Sequence, residues 1–144
     1  MITVEQYFGG RRETHGLECS PGIEDNAALT VTVVNQLLVE ADRFGIAVPI
    51  NPEGDFAGSQ LNSGWRPPSV NACTKGASAT SLHMTGEAAD LHDPKLELAA
   101  WLMTPEGQFT LETLGLWMEA PEATPEWVHV QVKPPLSGHR VFFP

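Results

Sequence analysis

Residues 126–132 read EWVHVQV, and the alternation in them decides how the chain is built. Side chains on a strand point to opposite faces in turn. Val128, Val130 and Val132 therefore line one face, and Trp127, His129 and Gln131 the other. A valine stripe belongs in a core, so His129 lies on the face turned away from it. The stretch EAADLHD, 87–93, repeats the pattern: Ala88, Asp90 and His92 share one face, Ala89 and Leu91 the other. If the two strands are neighbours, Asp90 and His129 converge on the polar face.

Outward from these strands, LGLWMEA (114–120) reads as a further strand, joined to EWVHVQV through the Pro-rich turn PEATP. The clearest helix is EDNAALTVTVVNQLLVEADRFG, 24–45. Val34, Leu37, Leu38, Ala41 and Phe44 recur at helical spacing, Asp25 or Asn26 can cap its start, and Gly45 can end it. DPKLELAAWLM (93–103) reads as a second helix, with Asp93 as N-cap and Pro94 in the first turn. TVEQYF opens a short helix, with Thr3 and Gln6 at capping-box spacing. IAVPI (46–50) reads as a short strand. LNSGWRPPSVNA (61–72) reads as a strand that leaves the sheet at Pro67, and the tail PPLSGHRVFFP as irregular chain wrapping back onto the body. Together these predict one α+β domain over 1–144, a small antiparallel sheet with flanking helices. One sheet face is buried and one is left for chemistry.

Composition narrows the function. Apolar residues make up 42% and charged residues 18%, which suits a globular protein and argues against disorder. The net charge of −10 excludes nucleic-acid binding driven by phosphate neutralisation. No apolar run approaches the roughly 20 residues of a membrane helix. The N-terminal MITVEQYFGGRRETHG lacks the apolar core of a secretion signal, so the expected site of synthesis is a cytoplasm, with release by other machinery. Cys19 and Cys73 are the only cysteines, lack CxxC spacing, and read as two free thiols. Nothing in the sequence calls for an oligomer, and the expectation is a monomer.

His83 precedes Asp90 by seven residues, with Gly86 between them. That fits one ligand at a strand end, a glycine-permitted turn, and a second ligand on the next strand. With His129 they make two imidazoles and one carboxylate. This is the donor set of a catalytic Zn²⁺ that keeps its fourth position open, lowering the pKa of water to about 7. By spacing alone, three unrelated polar residues on a wet sheet face would look the same.

Three separated stretches add a resemblance. SLHMTGEAAD followed by EWVH resembles the S-x-H-x-x-G-x-A-x-D … E-x-x-H signature of the zinc D-Ala-D-Ala peptidases. This is the VanY-like family, which includes phage L-alanyl-D-glutamate endopeptidases and shares its fold with the Hedgehog signalling domain. NSGWRPPSVNA resembles that family's upstream S-G-[YW]-R-[SP]-x-x-x-N element. The layout from YFGGRR to the C-terminal VKPP is similar to small single-domain members carried by phages. The resemblance implies a Hedgehog/DD-peptidase-like fold and one Zn²⁺ per chain, held by His83, Asp90 and His129. It implies Glu126 as the acid/base; Glu119, at the far end of the hairpin, is the substitute. It places Arg66 near the scissile carbonyl oxygen or a substrate carboxylate. Ser81 either hydrogen-bonds substrate or shapes the turn. His92 is a bystander, Trp127 braces His129, Asn71 stabilises a turn, and His15 and His139 are surface residues.

The implied activity is hydrolysis of peptidoglycan stem peptides, either at D-Ala-D-Ala or at L-Ala-D-Glu, by a phage-type lytic enzyme acting in the wall or periplasm. The partner is then a stem peptide or its fragments, with no nucleic acid and no membrane. The other class is a catalytically silent, zinc-containing peptide-binding module, such as a virion-associated protein.

Overall fold

The alternation in EWVHVQV and EAADLHD is what the sheet is built on. The computed structural model describes residues 1–144. Its strands are β1 (Leu61–Ser63), β2 (Ala88–His92), β3 (Trp117–Glu119), β4 (Trp127–Gln131) and β5 (Val141–Phe142), in the spatial order β1-β2-β4-β3-β5. Strand β2 pairs antiparallel with β4, Asp90 directly opposite His129. The sheet is mixed, not purely antiparallel, because β5 runs parallel to β3. The tail expected to be irregular thus supplies an edge strand.

The helices are α1 (Val4–Phe8), α2 (Arg11–Thr14), α3 (Pro21–Arg43), α4 (Pro68–Cys73), α5 (Glu97–Leu102) and α6 (Pro105–Leu114). Ala89, Leu91, Met118, Val128 and Val130 face a single buried cluster that also takes in Val31, Val34, Leu37 and Ala41 of α3 and Leu98, Leu102 and Leu111 of α5 and α6. No helix is long and apolar enough to cross a membrane.

Several local readings are corrected. Helix α3 begins at Pro21 after Ser20, not at Asp25 or Asn26, because a proline at the first helical position costs no hydrogen bond. The same physics starts α4 at Pro68, where the sequence had suggested extended chain. IAVPI forms no strand. Helix α5 begins at Glu97, after Leu96 in a left-handed conformation (φ 57°). Asp93 still caps it, from further upstream: its carboxylate accepts from the Leu98 and Ala99 N–H groups at 3.2 and 2.8 Å. Helix α6 was not expected, although Thr104, Pro105 and Gly115 are its N-cap, first residue and C-cap. The capping box of Thr3 and Gln6 is present at α1.

Candidate metal centre

Strand pairing brings two of the polar residues together, and a loop delivers the third. His129 and Asp90 come from the paired positions of β4 and β2. His83 lies in the loop before β2, not at a strand end as expected. Gly86 makes the turn between them with φ 76°, and a Cβ there would come within 2.9 Å of the Ile23 carbonyl on α3. The three side chains are buried, with 2%, 8% and 7% of the surface of His83, Asp90 and His129 exposed.

Each imidazole is aimed by its far nitrogen. His83 Nδ1 lies 2.7 Å from the Gly64 carbonyl oxygen, which can only accept. His83 therefore donates through Nδ1 and turns Nε2 toward Asp90 Oδ1 at 3.2 Å and His129 Nδ1 at 3.3 Å. Gln131 donates its amide to the Lys133 carbonyl at 2.7 Å, which points its oxygen at His129 Nε2, 3.3 Å away. His129 then donates through Nε2 and presents Nδ1 to Asp90 Oδ1 at 2.9 Å. Such outer partners fix tautomer and ring orientation in metal sites.

The inward atoms fit a metal ion. A tetrahedral ion with bonds of about 2.0–2.1 Å holds its ligand atoms about 3.3–3.4 Å apart. The three separations of 2.9, 3.2 and 3.3 Å sit close to that edge length. His83, Asp90 and His129 thus form a buried group that can hold a metal ion.

Electrostatics agree with ligand chemistry. Burial alone would raise the Asp90 pKa, but the charge and hydrogen bonds of the two imidazoles hold it well below the usual carboxylate range. Burial works against a charged His129, yet the hydrogen bond and charge of Asp90 raise its pKa above the ordinary histidine value.

Arg66 stands beside this group. Its Nε donates to Asn71 Oδ1 at 2.9 Å and its Nη2 to Ser81 Oγ at 3.1 Å, while its backbone N–H donates to the His83 carbonyl at 3.1 Å. Asn71 therefore does more than hold a turn, and Ser81 holds the arginine. Burial pulls the Arg66 pKa down, with the Asp90 carboxylate opposing. Arg66 and Asp90 line an open cleft of about 350 Å³ together with Arg11, Asn62, Ser63, Thr74 and Trp127.

The two acid/base candidates are separated by the structure. Glu119, on β3, places Oε1 3.9 Å from His129 Nε2 and is mostly shielded from solvent. Glu126 is exposed in the turn before β4; its carbonyl accepts from the Asp93 N–H at 3.1 Å, and its side chain makes no hydrogen bond or ion pair. Glu126 precedes β4, which begins at Trp127, so the alternation of the strand does not set its direction. Glu119 stands on the neighbouring strand, beside the His129 nitrogen that faces Gln131.

His92 stays out of the centre, its Nδ1 2.8 Å from Asn62 Oδ1. His139 is exposed and His15 half-buried, both away from the centre. Cys19 and Cys73 are free thiols. Three contributors were not read from the sequence: Gln131, the Gly64 carbonyl and Arg11. Gln131 could have been found, since it shares the His129 face by strand alternation. A backbone carbonyl leaves no sequence signal. Comparison of the chain with protein-family models, curated proteins and solved structures finds no match.

Proposed function

We propose that the protein is a zinc-dependent peptidase of the VanY-like type, hydrolysing peptidoglycan stem peptides as a phage-type cell-wall lytic enzyme. The observation that carries this reading is the buried His83–Asp90–His129 group, whose Asp90 lines a cleft that holds Arg66 and whose His129 has Glu119 beside it. Two imidazoles and one carboxylate, with no fourth protein donor in the group, are the donor set of catalytic zinc, whereas structural zinc takes four protein ligands. Zn²⁺ would supply Lewis acidity and activate water at neutral pH. The chain's own groups divide the remaining work. Glu119 takes a proton from the attacking water at its carboxylate and returns it to the leaving amine. Arg66 donates from its guanidinium to the scissile carbonyl oxygen as negative charge builds there. Asn71 and Ser81 hold that guanidinium in place.

The test is cleavage of purified muropeptides by the zinc-loaded protein, read by mass spectrometry. Products with a new D-Glu N-terminus mark an endopeptidase, and loss of one D-Ala marks a carboxypeptidase. Glu119→Gln should lower kcat by about 10²–10⁴, the range of a lost acid/base. Glu126→Gln should leave kcat within about twofold, as an exposed turn residue. Zinc-loaded wild-type protein that cuts no bond would refute the peptidase reading and favour a silent binding module.

A further inference from the structure

The chain carries only eight lysines and arginines against eighteen acids, yet two of the eight, Arg11 and Arg66, line the cleft that Asp90 also lines. Asp90 is the single acid among the lining residues, and it is committed to the two histidines. Arg66 has no carboxylate within ion-pair distance, and its Nη1 makes no hydrogen bond within the protein. Holding two guanidinium groups by one partly buried cleft costs energy unless an anion joins them.

Arg11 is built for exchange. Its Nη1 donates to the Trp65 carbonyl at 2.9 Å and its guanidinium stacks over Phe56 at 5.0 Å, so the head group is fixed. Its Nη2 pairs with Asp55 Oδ2 at 3.1 Å. The side chain of Arg11 is only 15% exposed, but that of Asp55 is 60% exposed. An ion pair to such an open carboxylate is weak and easily displaced. We infer that Arg11 is a specificity-determining residue that binds a free carboxylate of the substrate beside the scissile amide, and that Asp55 occupies its place until the substrate arrives. This deepens the peptidase reading and rests on it. The carboxylate has two possible sources with the same chemistry, the α-carboxylate of D-Glu or the terminal carboxylate of D-Ala-D-Ala.

The test measures equilibrium binding by calorimetry, on zinc-loaded Glu119→Gln protein so that turnover does not interfere. The probes are N-acetyl-L-Ala-D-Glu and diacetyl-L-Lys-D-Ala-D-Ala, each beside the analogue whose relevant carboxylate is an amide. One acid should bind at least about tenfold tighter than its amide, the scale of a charge-assisted hydrogen bond, and which one does so names the source. Arg11→Gln should cut that preference to less than about threefold. Asp55→Asn, an exposed change that leaves the fold intact, should tighten the acid about two- to fivefold and leave the amide unchanged, since it removes a weak competing pair. Equal binding of acid and amide for both pairs overturns the inference, as does unchanged or weaker acid binding in Asp55→Asn. Binding selectivity without cleavage by wild-type protein would sink the peptidase reading alone; cleavage without selectivity would sink this inference alone.

Discussion

Adding Zn²⁺ to the metal-free protein should raise its melting temperature by more than 10 °C, and the size follows from where the ligands sit. Asp90 and His129 are 39 residues apart in sequence and His83 and His129 are 46 apart, so the unfolded chain offers no comparable site. Binding to the folded state alone stabilises it by about 4.1 kcal/mol when free zinc exceeds the dissociation constant a thousandfold. A chain of 144 residues unfolds with an entropy of about 0.3 kcal/mol per kelvin. The expected rise is therefore about 14 °C, read by differential scanning calorimetry with and without zinc and reversed by a chelator. Stoichiometry by mass spectrometry should be about one ion per chain, from one three-ligand group. His83→Ala and His129→Ala should each cut the rise to less than about 3 °C, because two ligands no longer surround an ion. A full rise in either variant, or no rise in the wild type, would refute the assignment of the centre.

Three further outcomes are expected. Zinc affinity should fall as the solution is acidified from pH 8 to pH 5: the raised His129 pKa means a proton must leave before the ligand is free, and each proton displaced weakens binding about tenfold per pH unit. Asp90, held ionised well below this range, adds nothing to that slope, and a flat affinity from pH 8 to 5 would contradict ligation through His129. Gly64→Ala should cost about 3 kcal/mol in denaturant unfolding and also weaken zinc binding, because its Cβ would lie 2.0 Å from the Tyr7 carbonyl oxygen and displace the carbonyl that aims His83. Asp93→Ala should cost about 2 kcal/mol by leaving the Leu98 and Ala99 N–H groups uncapped, yet keep one bound zinc, since Asp93 touches none of the ligands.

The strand pair at the heart of the site was legible because alternation is a local rule. Valines at 128 and 130 and the core-facing Ala89 and Leu91 on either side of Asp90 fix which way His129 and Asp90 point, whatever else the chain does. The long helix α3 was legible for the same reason, its apolar spacing extending over many turns. Which of Glu126 and Glu119 lies beside the His129 ring was not, because sequence proximity to His129 favours one and strand adjacency the other. Adjacency depends on which strand lies beside β4, and that is set by packing across the whole domain. Strand β5 was illegible because two residues carry no periodicity and pair only with a strand already formed. The roles of Gly64 and Asp55 belong to the same class: each depends on a partner brought near by the fold.

The short parallel pairing of β5 has a dynamic consequence. It anchors β3 on both sides of Glu119, through Met118 N–H to the Arg140 carbonyl at 3.0 Å and Ala120 N–H to the Phe142 carbonyl at 2.7 Å. Two such bonds at a sheet edge open at far lower free energy than the β2–β4 ladder that carries Asp90 and His129. Fraying of residues 140–142 therefore loosens Glu119 while Asp90 and His129 stay paired. Amide exchange should therefore be slow along β2 and β4, which carry Asp90 and His129, and faster at Met118 and Ala120, on either side of Glu119.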